Sequence, residues 1–354
     1  MTRPLSSLEP EEITGLCAAH FGVDVEFEEF LPGIVAINVL LRTQTGRFVL
    51  KAERPSPTMT PEHFDWVCRT QERARTAGLP VAAQVPARTP FTDPSTGESS
   101  GALALVDIDG SPVMVRLHAF LSGRDAAAAE PGAGYPARAG AVAARMVTAL
   151  ADAPAEPAPV LHPWSFTASG ANVVFAVDRI NALEAAGRVP EEFGTQLSAD
   201  LALVRAHAQE FERAVRPRFA ELPHQVVHQD LNDHNILFDA GRISGVIDFN
   251  DAATAPRIAE LAIAAAACMI GRDEPTAALW SAHAAYEEEA AGTSASLTAA
   301  ESALLEHAAI TRLALVACTW TARAITAPPD HPNQATGRER MASTWPVLRE
   351  LLGR

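Results

Sequence analysis

Along the first 120 residues the apolar positions mostly recur at every second place. Val23, Val25 and Phe27 alternate with acids, and Val35, Ile37, Val39 and Leu41 alternate again. The turn Thr43-Gln44-Thr45-Gly46 then leads into Arg47-Phe48-Val49-Leu50-Lys51-Ala52-Glu53. Period two predicts strands, and the polar turn joins the second and third of them in a β-meander. An amphipathic segment from Glu11 to His20 precedes the strands. Thr60-Pro61-Glu62 places an N-cap residue before a proline at the first helical position, and Gly78 with Pro80 supplies the stop; together these predict one helix of about 17 residues. The runs 102–108 and 113–120, joined by Asp109-Gly110-Ser111, predict a hairpin.

From about Ser122 the pattern changes to alanine-rich stretches with helical spacing, broken by Pro/Ala tracts such as 153–159. Helices are predicted over 141–150, 196–219, 257–270, 276–291, 298–325 and 338–352, with one β-like interruption at 226–249. The expected fold class is α+β: a small antiparallel lobe with one helix, then a larger, mainly helical lobe. The expected division is residues 1–118 and 119–354.

Composition narrows the class. The chain has 354 residues, 48% hydrophobic and 20% charged, which fits a globular protein of two domains. No apolar run reaches the roughly 18 uncharged residues of a membrane span, and the start lacks a basic region followed by an apolar one, so a cytoplasmic protein without membrane partners is expected. The four cysteines are far apart and read as small core residues. The net charge of -15 argues against nucleic acid and favours a cationic small-molecule partner. Within the 28 basic residues there is a single lysine, Lys51; the rest are arginine.

The β-like interruption holds the candidate chemistry. In His228-Gln229-Asp230-Leu231-Asn232-Asp233-His234-Asn235-Ile236-Leu237-Phe238, the residues His228, Asp230 and Asn235 fit H-x-D-x(4)-N, and Asp248-Phe249 follows one hairpin later. This is the spacing of a kinase catalytic loop and its metal-binding aspartate. Phosphoryl transfer needs an aspartate to orient and deprotonate the attacking hydroxyl, and oxygen ligands for Mg²⁺ on the phosphates. Lys51, on the third strand, is where such an enzyme places the cation that grips the phosphates, a task a planar guanidinium performs less well than a compact ammonium.

These residues, with Val49 to Lys51 and Gly245 to Leu261, resemble the aminoglycoside phosphotransferase (APH) or choline-kinase-like superfamily, the Asn-Asp-His-Asn loop being most similar to its hydroxylysine kinase branch. The resemblance implies a protein-kinase-like fold with ATP or GTP and Mg²⁺ bound between its lobes. Carried over, it implies Asp230 as catalytic base, His228 as scaffold of the loop, Asn235 and Asp248 as Mg²⁺ ligands and Lys51 as phosphate contact. It also implies an adenine site along the linker 117–121, which contains Phe120. The helical partner of Lys51 is left between Glu62 and Glu72, with Glu72 preferred. Asp251 and Arg312 are candidates for the acceptor site. The implied reaction moves the γ-phosphoryl group to a small-molecule hydroxyl: that of an antibiotic, inactivated for resistance, or of a hydroxylated amino acid such as hydroxylysine. Oligomeric state is not legible.

Other readings stand beside these. The 228–235 loop also fits a polar turn, a zinc or iron hydrolase using His228, Asp230 and His234, or the nucleotide site of a regulatory pseudokinase. The loop at 31–34 has no G-x-G-x-x-G and no activation segment follows Asp248, which argues against an ordinary protein kinase. Asn250 and Asp251 fit turn chemistry as well as substrate contact. Buried Glu260 is expected to pair with an arginine. Arg312 and Arg323 fit either an acceptor cleft or a structural ion pair, and the five tryptophans are expected in the core.

Overall fold

The computed structural model describes residues 3–33, 36–129, 132–159, 163–193, 196–328 and 331–353. Ile34 and Val35, assigned above to a loop and a strand, lie outside the described residues. Contacts divide the chain into two compact units: Met1–Ala129 with Ala153–Val160 and Asn235–Ala252, and the remainder. This differs from a cut at 118/119, because the hairpin bearing Asp248 packs with the sheet. Val246 donates its N–H to the Pro80 carbonyl at 2.8 Å and forms a parallel bridge with Val81.

The first unit opens with helix α1 (Pro10–Phe21), started by Pro10 and closed by Gly22 in the left-handed conformation. Strands β1 (Glu26–Leu31), β2 (Ile37–Arg42) and β3 (Arg47–Glu53) form the meander; after helix α2 (Pro61–Thr76) come β4 (Ala104–Ile108) and β5 (Ser111–Ala119). The five strands are ordered β1-β2-β3-β5-β4, and all four pairings are antiparallel. Alternation assigns the two faces. Val39, Leu41, Leu50, Ala52, Val113, Val115 and Leu117 bury against Ile13, Cys17 and Phe21 of α1. The opposite face carries Lys51 and Arg116 side by side, since these residues are register partners. Helix α2 begins where Thr60 Oγ1 accepts the His63 N–H, and buries Phe64, Trp66 and Cys68. Strands β6 (Arg124–Asp125), β8 (Ile236–Asp239) and β9 (Arg242–Val246) form a three-stranded sheet beside the short helix α3 (Ala126–Ala129).

The second unit is helical: α4 (Tyr135–Leu150), α5 (Ser169–Ala185), α6 (Leu197–Glu210), α7 (Ile258–Met269), α8 (Pro275–Ala290), the single turn α9 (Ala299–Ser302), α10 (Leu305–Thr326) and α11 (Pro332–Leu352). Strand β7 (His224–Val227) pairs with β10 (Ala253–Pro256). Every residue of α7 is buried, and the helix packs against α4, α8 and α10. A Cβ at Gly140 of α4 would lie 2.0 Å from the Ala282 carbonyl of α8, so only glycine permits that approach. Helix α10 has the length and mean hydropathy of a membrane span, but it carries Glu306, Arg312 and Arg323 and is mostly buried, packing against α5, α7 and α11; its apolar surface serves the core. All four cysteines are buried. Among the tryptophans, Trp66 and Trp345 are buried, whereas Trp280 is an exposed residue of α8, contrary to the core expectation.

Candidate active site

On the sheet unit, two cations of neighbouring strands meet two acceptors that follow β9. Lys51 Nζ lies 2.9 Å from Asp248 Oδ1 and Arg116 Nη1 lies 3.0 Å from Asn250 Oδ1. Arg116 is buried, ion-paired to Glu53 and stacked on the Phe64 ring. Asp248 adopts φ 64° and ψ 71°, a conformation that costs a non-glycine residue of order 1 kcal/mol or more and reappears where function demands it. Asn235 stands at the same end of the hairpin: its carbonyl accepts the Ile247 N–H at 3.0 Å, continuing the register that pairs Ile236 with Val246. One carboxylate and one amide side chain are thereby gathered at one strand end. This hard oxygen donor pair fits Mg²⁺, which keeps several waters and needs few protein ligands.

His118 is a further member of this region, unmarked by any motif. It is buried and accepts a hydrogen bond from Gln71 Nε2 at 3.2 Å when Nδ1 is unprotonated. Burial, with Arg116 and Lys51 nearby, pushes its pKa well down, so the ring is neutral and adds no further charge beside Lys51.

The helical partner expected for Lys51 is corrected. Glu72 pairs with Arg75 one turn along α2, and this close guanidinium lowers its pKa; the carboxylate that meets Lys51 is Asp248. Phe120, directly after β5, donates its N–H to the Arg47 carbonyl at 2.9 Å, and the Arg47 guanidinium lies 4.0 Å over its ring. Asp251 closes a single 3₁₀ turn, Phe249–Asp251, and the neighbouring Asn250 is engaged by Arg116.

The helical unit holds His228 to His234 of the candidate catalytic loop. His228 is fully buried and its Nδ1 accepts the Asp230 N–H at 3.2 Å, which fits the role of a scaffold. Gln229 has φ 64°, and its Oε1 accepts the Phe166 N–H at 3.1 Å. Asp230 Oδ1 accepts from Asn232 Nδ2 at 2.8 Å and from Arg312 Nη2 at 2.9 Å. Arg312 also donates to the Trp164 carbonyl at 2.7 Å and lies 5.1 Å from the centre of the Trp164 ring. Arg312 is therefore brought to Asp230, and its position identifies it as a clamp on that carboxylate.

Two supports of the loop come from distant helices, and the sequence names neither as a partner of the loop. Arg340 of α11 grips Asp233 with two hydrogen bonds, 2.8 and 2.9 Å long, and donates to His234 Nε2. The His234 nitrogen thus faces a cation, which disfavours the metal-hydrolase reading; among the described residues no cluster of three metal-ligating side chains occurs. Glu260 of α7 is fully buried and accepts the His228 N–H at 2.7 Å and, more weakly, the Gln229 N–H at 3.4 Å. Its partner is the loop backbone rather than the expected arginine. Burial raises its pKa to about 7 against the two hydrogen bonds, which lower it.

Comparison with known proteins agrees with this geometry. The model of the APH phosphotransferase enzyme family matches residues 27–292. A homoserine kinase of Methylobacillus flagellatus is 29% identical over 242 residues, 68% of this chain and 62% of that protein, so the chain spans less than two thirds of that relative. A hydroxylysine kinase of Mus musculus is 24% identical over 285 residues, 75% of this chain and 70% of that protein. Two solved structures share the fold: a microcompartment-associated aminopropanol kinase, at TM-score 0.64 and 16% identity over 96% of this chain and 97% of that one, and a spectinomycin phosphotransferase in complex with ADP and spectinomycin, at TM-score 0.61 and 11% identity over 97% and 94%. With a family model covering most of its length, the α+β fold and the loop and hairpin in place, the chain belongs to the APH phosphotransferase family.

Proposed function

We propose that this chain transfers the γ-phosphoryl group of ATP or GTP to a hydroxyl of a small molecule. The observation that carries the reading is the ion pair of Lys51 and Asp248, which unites the sole lysine with the carboxylate at the end of the hairpin. The nucleotide-binding role falls to residues 1–118 together with that hairpin, and the acceptor role to the helical remainder.

Each side chain has a task. Lys51 supplies a compact positive charge to the nucleotide phosphates, and its pairing with Asp248 restrains the flexible ammonium. Asn235 and Asp248 would hold Mg²⁺, which when bound neutralises charge on the phosphates. Asp230 orients the acceptor hydroxyl and takes its proton as the new bond to phosphorus forms. Arg312 and Asn232 fix the carboxylate so that its rotamer is set before substrate arrives. His228 and Glu260 hold the loop backbone from beneath. The adenine is assigned to the strand end near Phe120.

The acceptor is a small hydroxylated compound. The named relatives phosphorylate, by their names, hydroxy amino acids, an amino alcohol and an aminocyclitol antibiotic. An amine-bearing acceptor suits the net charge of -15, and four buried, unpaired thiols suit a cytoplasmic protein. The reading is tested by incubating the chain with labelled ATP or GTP, MgCl₂ and a panel of hydroxy amino acids, amino alcohols and aminocyclitols. Acceptor-dependent transfer that is lost in Asp230→Asn supports it. Nucleotide binding without transfer to any acceptor and without basal ATPase would favour the pseudokinase instead.

A further inference from the structure

Arg323 lies eleven residues after Arg312 on α10, close to three full helical turns, so both project from one face. Their guanidinium groups converge on the same ring: Arg312 Cζ is 5.1 Å and Arg323 Cζ 5.5 Å from the centre of Trp164. The two cations therefore lie within about 11 Å of one another, with Trp164 as their common neighbour.

Their commitments differ. Arg312 is bound to Asp230 and to the Trp164 carbonyl. The Arg323 guanidinium has no hydrogen-bond or ion-pair partner among the described residues, only the backbone carbonyl accepting from Ala327 and Thr326, and its Nη1 is buried without an acceptor. It also lies 4.8 Å from the centre of the Trp320 ring, so two indole faces hold the cation while its buried Nη1 remains without an acceptor. The charge that acts on it most is a second cation, Arg179, and both burial and Arg179 lower its pKa. A half-buried, unpaired guanidinium beside another arginine is costly for stability alone. Its planar fork matches a carboxylate.

We infer that Arg323 is the carboxylate-recognition residue of the acceptor site, and that the acceptor is a small hydroxylated amino acid with its hydroxyl at Asp230 and its carboxylate at Arg323. The inference rests on the phosphotransfer reading above and deepens it. Arg312 lies at both ends of this arrangement, since it fixes Asp230 and packs on the ring that backs Arg323. The same guanidinium repels an acceptor that carries only positive charge, which turns the cationic partner expected from net charge into a zwitterion.

The test separates binding from turnover. The full chain, with ADP and MgCl₂, is titrated calorimetrically with two matched pairs: L-homoserine against 3-aminopropan-1-ol, and 5-hydroxylysine against 1,5-diaminopentan-2-ol. Each pair differs only in the carboxylate. At least one amino acid is expected to bind tenfold or more tightly than its decarboxylated partner. Arg323→Met should abolish that ratio while leaving the thermal midpoint unchanged or raised, and Arg323→Lys should restore part of it. Equal binding within both pairs in the wild type overturns the inference, which needs no variant to fold. So does an unchanged ratio in Arg323→Met. Carboxylate-dependent binding with no transfer from labelled ATP or GTP would support the assignment of Arg323 while refuting the phosphotransfer reading; transfer to amino alcohols with no carboxylate preference would do the reverse.

Discussion

Lys51 Nζ stands 2.9 Å from Asp248 Oδ1, joining two residues 197 positions apart in the chain. The pair is only partly buried, with the lysine side chain 15% exposed and the aspartate 42%. Such a bridge adds little stability, so its value lies in placing the ammonium. Lys51→Arg should therefore leave the thermal midpoint within a degree or two while raising KM for ATP and lowering kcat. Steady-state kinetics beside a melting curve will show this; an arginine variant with unchanged kinetics would remove Lys51 from the phosphate site.

Asp230→Asn retains the shape of the carboxylate and keeps an oxygen for Arg312, but cannot take a proton. The expected loss in kcat is about 10²- to 10⁴-fold, the range of general base catalysis, with ADP affinity nearly unchanged. Single-turnover transfer and ADP titration measure the two quantities separately.

Arg340 reaches from α11 to the catalytic loop through two hydrogen bonds to Asp233 and one to His234. Removing one partner of a buried pair strands the other charge. Arg340→Ala should cost roughly 3 kcal/mol and, by loosening the loop, lower kcat more than it changes KM for ATP. Urea denaturation gives the first number. Double substitution with Asp233→Asn should recover part of the stability, since no carboxylate is then left unpaired.

Glu260 gives a pH dependence whose sign is fixed by its environment. Its folded pKa of about 7 lies above the 4.5 of an ordinary glutamate. The native state therefore binds the extra proton between these values, and stability falls as pH rises through that window. The contribution is fully present below about pH 4.5 and absent above about pH 7. A shift of this size corresponds to roughly 3 kcal/mol at most. Glu260→Gln should flatten the stability profile between pH 5 and 7 without changing the fold, and denaturation at several pH values will check it. A wild-type profile identical to that of the glutamine variant would contradict the assignment.

Legibility in the sequence followed the range of the interaction. The meander, α2 with its Thr60 cap and the loop with its hairpin are local patterns, and each was readable from alternation, turn residues and spacing. Helix boundaries failed where a local feature was overridden. The helix expected over 196–219 ends at Glu210 and continues as a π turn and a 3₁₀ turn, because Pro217 offers no N–H and crowds the preceding turn. The segment 298–325 splits into two helices: the Thr298–Glu301 capping box starts α9, which ends after four residues, and α10 begins anew at Leu305. Helix α5 was missed: Val173, Val177 and Ile180 have helical spacing, but no cap residue marks its start and exposed Phe175 blurs the apolar stripe.

The site divides in the same way. His228, Asp230, Asn235, Asp248 and Lys51 carry a spacing or a rarity that points to them. Glu260, Arg340 and His118 act across long stretches of chain, and nothing near them in sequence announces their partners. Glu72 illustrates the converse: of the two glutamates on a suitable helix it is the preferred partner for Lys51, whereas Arg75, three residues along, takes it first.

Gln229 and Asp248 share the left-handed backbone that disfavours side chains with a Cβ, one on each compact unit. Glycine would relieve the steric conflict at either place, and at Asp248 it would also discard a partly exposed ion pair of little energetic worth. Laboratory selection for thermal tolerance alone would thus be expected to erode these positions, yielding sturdier but inert chains. Any stabilising screen on this protein should be coupled to phosphotransfer, and variants that melt later should be sequenced first at 229 and 248.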